Sequence, residues 1–103
     1  PYTAMELKTF DAYRALRELR QKENFADTGW AILADRIVRE HGDEWLLHLE
    51  LIEAAHRAER SGVAVPWKTT VTAALDGART RWSDTDLELL DKGLALAGHA
   101  ELA

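Results

Sequence analysis

Residues 48–56, HLELIEAAH, place two histidines and two glutamates close together in the chain. Glu53 and His56 form a Glu-x-x-His pair, the spacing that carries metal ligands in di-metal carboxylate helical bundles. Such a centre needs a second pair and further glutamates, which a symmetric dimer could supply from a second copy. One interpretation is therefore an Fe, Mn or Zn site completed across a homodimer by the following ligands: His48, Glu53, His56 and Glu59.

The same segment also has the pattern of an ordinary packed helix. Positions spaced four, three and four residues apart share its inward side: His48, Ile52, Ala55 and Glu59. The opposite side carries mainly charged residues: Glu50, Glu53, Arg57 and Arg60. This pattern predicts that His48 lies in the core with one ring nitrogen hydrogen-bonded, that His56 lies at the edge, and that Glu59 reaches solvent. We favour this interpretation, and we expect no metal and no cofactor.

Other residues that could support catalysis are absent or have a structural explanation. The chain contains no cysteine, which excludes disulfides, thiolate metal sites and cysteine nucleophiles. No two histidines are four residues apart, so a His-Glu-x-x-His zinc site is excluded. The two serines, Ser61 and Ser83, fall at predicted helix ends, and there is no glycine-rich phosphate loop. We therefore predict no catalytic site.

The charge balance argues against general nucleic-acid binding. Thirteen basic and eighteen acidic residues give a net charge of −5, which repels phosphate backbones. The predicted first helix nevertheless concentrates basic residues: Lys8, Arg14, Arg17, Arg20 and Lys22. The second alternative for the function, after the metal site, is that this helix binds an acidic partner or a nucleic acid. A solvated face balanced by Asp11, Glu18 and Glu23 is the interpretation we favour.

The length and composition predict a single folded domain. The chain has 103 residues, of which 47% are hydrophobic and 30% charged, enough for one core. No apolar run approaches the roughly 18–20 residues that cross a bilayer, so we expect no membrane partner. The absence of cysteine fits a reducing cytoplasm. We expect the natural chain to begin at Met5, with residues 1–4 left from cloning, and the domain to span residues 5–103.

Hydrophobic periodicity predicts an all-α fold. Apolar residues recur at helical spacing in five segments, and no strand-like alternation extends beyond a few residues. The clearest segment carries these residues on one helix face: Trp30, Leu33, Ala34, Ile37, Val38 and His41. The pattern therefore predicts a compact bundle of about five helices.

Capping residues suggest where these helices begin and end. The first helix is expected from about Thr9 to Lys22, and Asp27 or Thr28 is expected to cap the second. Gly42 suits the left-handed end of the second helix and Asp43 the start of the third, which predicts a central αα-hairpin. The remaining boundaries are assigned to Gly62, Pro66, Ser83 and Gly98.

Without a catalytic motif, the sequence favours a binding function. We predict a small cytoplasmic protein-interaction or regulatory module that binds another protein. Most of the four tryptophans are expected in the core, but Trp67, beside the Val65–Pro66 elbow, is predicted to be exposed as a partner anchor. Leu87 and Leu94 lie on the leucine stripe of the fifth helix, which either closes the core or forms a homodimer contact. The predicted partner-binding residues are therefore Trp67, Leu87 and Leu94.

Overall fold

A computed structural model describes residues 3–96, except for the side chains of residues 4–6. The described part of the chain forms five helices and no strand. The helices are α1 (Ala4–Lys22), α2 (Gly29–Glu40), α3 (Trp45–Arg60), α4 (Trp67–Ala78) and α5 (Asp84–Leu96). The predicted all-α fold is confirmed. Across residues 3–96, none of the helices combines the length and the apolar character that a bilayer crossing requires.

α4 contacts both α2 and α3 extensively. α1 packs on α2, and α5 packs on α3. α2 and α3 follow each other through residues 41–44, but each packs more extensively on α4 than on the other. The centre of the bundle is therefore the α2–α3 pair together with α4, where the sequence had predicted the hairpin alone.

Several helix boundaries have the caps that the sequence predicts. The Asp27 side chain accepts a hydrogen bond from the N–H of Gly29 at 2.7 Å, at the start of α2. Ser83 Oγ accepts one from the N–H of Asp86 at 3.2 Å, at the start of α5. Gly62 follows α3 with a φ of +80°, the left-handed conformation that glycine adopts without steric cost. The boundary predicted at Gly98 lies outside the described residues.

Other boundaries differ from the prediction. α1 begins at Ala4 instead of Thr9. Gly42 is not in the left-handed region. The residue that follows α2, His41, still donates its N–H to the carbonyl of Ile37 at 2.8 Å. Glu44 precedes α3 in place of Asp43 and makes no side-chain cap bond. The connection therefore needs no left-handed residue, and the αα-hairpin forms without the predicted glycine cap.

The core contains the predicted apolar face of α2 and the leucines of α5. Ile37 has no exposed surface, and neither have Leu90 and Leu94. α5 therefore closes the core of the single chain, the first of the two roles that the sequence allowed for it.

Candidate functional site

A groove of about 600 Å³ lies where α1 and the connection after it face the second half of α3. Three arginines line it with a glutamate, a serine and two apolar residues: Arg20, Arg57, Arg60, Glu23, Ser61, Phe25 and Ala54. Phe25 also contacts the core, because its ring centre lies 5.7 Å from that of Trp30. The end of the groove is thus supported by a packed aromatic pair.

A second groove, of about 390 Å³, adjoins the first at Arg20. It is lined by Tyr13, Arg14, Leu16, Arg17, Arg20 and Glu50. We call the two together the arginine groove. Five arginines line it, namely Arg14, Arg17, Arg20, Arg57 and Arg60, against the two glutamates Glu23 and Glu50. Positive charge is therefore concentrated on one surface of a chain whose net charge is −5.

Helix periodicity and the approach of α1 to α3, which the Arg20–Glu50 ion pair bridges, produce this surface. The α1 arginines recur every third residue, which puts Arg14, Arg17 and Arg20 on adjoining turns. Arg57 and Arg60 have the same spacing in the last turn of α3, where basic side chains interact favourably with the helix dipole. Neither helix alone forms a groove, so its shape depends on α1 lying beside α3.

Glutamates of α3 hold part of the positive charge. Arg20 forms an ion pair with Glu50, and its Nη2 also lies 3.6 Å from a carboxylate oxygen of Glu53. Glu53 in turn accepts a hydrogen bond from Arg57 at 3.0 Å. Arg17 and Arg60, by contrast, form no ion pair with any residue in the described range. These two guanidinium groups are the ones left available for a ligand.

The chemistry of the groove suits an anion with an apolar neighbour. Guanidinium groups bind carboxylates and phosphates through paired hydrogen bonds. Burial raises the pKa of Tyr13, and the nearby carboxylates of Glu44 and Glu50 raise it further. The Tyr13 hydroxyl therefore keeps its proton at neutral pH and can donate a hydrogen bond. The side chains of Leu16 and Phe25 supply apolar surface next to these donors.

The residues of the metal interpretation have other roles in this chain. His48 has no exposed surface, and its Nδ1 lies 2.9 Å from the main-chain carbonyl oxygen four residues earlier. His56 is half-buried, and Glu59 is exposed and accepts a hydrogen bond from Lys68 at 2.7 Å. The packed-helix prediction for these three side chains is confirmed. Within residues 3–96, no three His, Cys, Asp or Glu side chains are grouped so that they could hold a metal ion.

The predicted exposure of Trp67 is wrong. Only 8% of its surface is exposed, and its ring stacks on Trp30 with centroids 6.0 Å apart and planes within 9°. Leu94 is fully buried and Leu87 is half-buried against the core. Pro66 directly precedes α4, and Trp67 is the first residue of that helix. These three residues do not form an exposed surface on the single chain.

The sequence identified only part of the arginine groove. The basic residues of α1 were grouped correctly, but Arg57 and Arg60 appeared only as the outer face of α3. The local signal for them is their three-residue spacing next to the helix end. Nothing in the sequence pattern says that α1 lies beside α3, and that neighbourhood brings the two sets together.

No protein-family model, curated protein sequence or solved structure matches this chain. Its function therefore has to be inferred from the chemistry of its own surface.

Proposed function

We propose that this protein is a small interaction module that binds an acidic segment of another protein in the arginine groove. The supporting observation is the convergence of five arginines from α1 and α3 on two adjoining grooves that share Arg20. Arg17 and Arg60 would bind the partner's carboxylates directly. The apolar surface of Phe25 and Leu16 would pack against aliphatic or aromatic side chains between the acidic residues.

A protein partner fits this groove better than a nucleic acid does. Glu23 and Glu50 lie within the groove and would repel a continuous phosphate backbone. An acidic segment with spaced charges can place carboxylates on the arginines and avoid the two glutamates. The groove is formed within one chain, so the proposal requires no second copy.

We also propose that the interaction takes place in the cytoplasm, which the absence of cysteine supports. Fractionation of cells that produce the tagged full-length protein tests this proposal. Recovery in the cytosolic fraction is the expected result, and recovery in a secreted fraction would contradict it.

Fluorescence anisotropy with a labelled peptide of glutamates and leucines tests the binding proposal. The variant is the charge reversal Arg57→Glu with Arg60→Glu, which removes two donors and places negative charge in the groove. We expect the affinity for the peptide to fall at least tenfold, since tenfold corresponds to only about 1.4 kcal/mol. Binding should also weaken as salt rises, because partly exposed charges are screened.

The matched control is Arg36→Glu with Arg39→Glu on α2. This pair has the same spacing and the same change in charge, and it also breaks ion pairs, with Glu40 at 3.3 Å and Asp35 at 2.8 Å. It lies outside the arginine groove, so peptide binding should change far less. Equal losses of peptide affinity in the two variants would show that the affinity depends only on the net charge of the protein. Preferential binding of labelled single-stranded DNA would favour the nucleic-acid alternative over this proposal.

A further inference from the structure

Two histidines are buried where the α2–α3 connection meets the end of α4. His41 directly follows α2, and His48 lies in the first turn of α3, with 3% and 0% of their surfaces exposed. The Trp82 ring, just after α4, meets the His48 ring edge-on, with centroids 5.6 Å apart. Gly42 in the connection lies close to the end of the Arg81 side chain. We call this region the histidine corner, consisting of residues 41–44, His48, Arg81 and Trp82.

The histidine corner contains several polar atoms without hydrogen-bond partners. Both ring nitrogens of His41, Nε2 of His48 and the indole nitrogen of Trp82 are buried without a partner in the described structure. Most buried polar groups in proteins are hydrogen-bonded, and leaving one unpaired is costly. The corner therefore concentrates buried polar atoms that have no protein partner among the described residues.

The His48 ring is held in one neutral form. The carbonyl oxygen of Glu44 can only accept, so Nδ1, 2.9 Å away, carries the hydrogen and donates it. Nε2 then keeps its lone pair and is buried without a donor. A further proton taken from solvent would bind to Nε2 and convert the ring into a buried cation.

The surroundings disfavour that cation. Burial is the largest influence and lowers the pKa of His48 below its ordinary value of 6.5, and the positive charge of Arg81 lowers it further. The hydrogen bond to the Glu44 carbonyl acts in the opposite direction, as do the carboxylates of Asp43 and Glu44. Asp43 is exposed and lies 3.6 Å from Arg81, which partly offsets its charge. Within residues 3–96, these are the charged groups that act on the ring.

We propose that the histidine corner is an acid-sensitive conformational switch, in which protonation of His48 Nε2 loosens α3 from the end of α4. The pKa of His48 is lower in the folded state than in the open state, so the open state takes up the proton first as the pH falls. The stabilising contribution of neutral His48 is complete above pH 6.5. It is lost as the pH falls from 6.5 towards the pKa of the folded state, and within that window each pH unit multiplies the open population by up to about tenfold. The switch does not depend on what the arginine groove binds.

Thermal unfolding of the full chain between about pH 5 and pH 8 tests the switch. The variant is His48→Gln, which keeps a polar side chain but does not titrate. His56→Gln is the control, because His56 lies on the same helix and is half-buried. In the wild type and the control, Tm should fall by up to about 5–11 °C more per pH unit than in His48→Gln within the window below pH 6.5. An unchanged pH dependence in His48→Gln would overturn the proposal.

An NMR titration of the wild-type protein gives a second test that does not require a variant to fold. The ring signals of His48 should titrate below pH 6.5, and the indole N–H signal of Trp82 should shift or broaden over the same range. A Trp82 signal that stays fixed while His48 titrates would show that protonation leaves the corner closed, which contradicts the switch.

Discussion

Trp67→Ala separates the position that the sequence predicts for this side chain from the one that the structure gives it. An exposed tryptophan would lose little on truncation, within about 0.5 kcal/mol. In the structure the side chain is 92% buried against α2, with 8% exposed, and stacks on Trp30. Truncating a buried tryptophan to alanine costs about 3–5 kcal/mol, of which the lost stacking accounts for roughly 0.5–1.5 kcal/mol.

Urea unfolding followed by far-UV circular dichroism measures this loss. The wild-type domain is expected to have a free energy of unfolding of about 5–15 kcal/mol, so Trp67→Ala uses a large share of it. Trp67→Phe keeps an aromatic ring on Trp30 and should lose less, about 1–3 kcal/mol. The midpoint should move while the slope with urea stays constant, because the same surface is exposed on unfolding.

Ile32→Ala on α2 is the control for this experiment. The Ile32 side chain is 68% exposed, so its truncation should change the free energy of unfolding by no more than about 0.5 kcal/mol. A loss below about 1 kcal/mol for Trp67→Ala would refute the packing of α4 on α2 described above.

Two further predictions concern the packing and the backbone. Ile37→Ala should lower the free energy of unfolding by about 2–5 kcal/mol because the side chain is fully buried in α2, and a urea titration that finds less than about 1 kcal/mol would contradict this burial. Gly77→Ala should raise it by about 0.5–1 kcal/mol, since Gly77 is helical and an added Cβ would meet no atom within 4 Å. Gly62→Ala should lower the free energy of unfolding by about 1–2 kcal/mol, because a φ of +80° disfavours a side chain. Differential scanning calorimetry measures both glycine variants. Stability changes of the same sign in Gly77→Ala and Gly62→Ala would contradict these backbone conformations.

The sequence predicted features that depend on neighbours along the chain. The stripe through Ile37 predicted one face of α2, and that face is buried. Ser83 and Gly62 mark helix ends for reasons of local hydrogen bonding and backbone conformation, and both act as expected. The burial of His48 and the exposure of Glu59 followed from helix geometry alone.

The prediction for Trp67 and the incomplete view of the arginines depend on contacts between segments that are distant in the sequence, whereas the prediction for Gly42 was a local one. Trp67 was assigned to the surface because it follows a proline elbow, but the position of α2 decides that it stacks on Trp30. Gly42 was assigned a left-handed conformation that the short connection does not need. The charge of Arg57 looked like an ordinary outer helix face until α1 placed Arg20 beside it.

The sequence by itself determined the helices, most of their ends and the buried sides of α2 and α3, because helical periodicity and capping are local properties of the chain. The tertiary structure decided which helices are neighbours. That arrangement joined the arginines of α1 and α3 into one groove and enclosed His48 beside Trp82 and Arg81. Binding surfaces and shifted pKa values arise from distances between side chains on different helices, and the spacing of residues along one chain does not specify those distances.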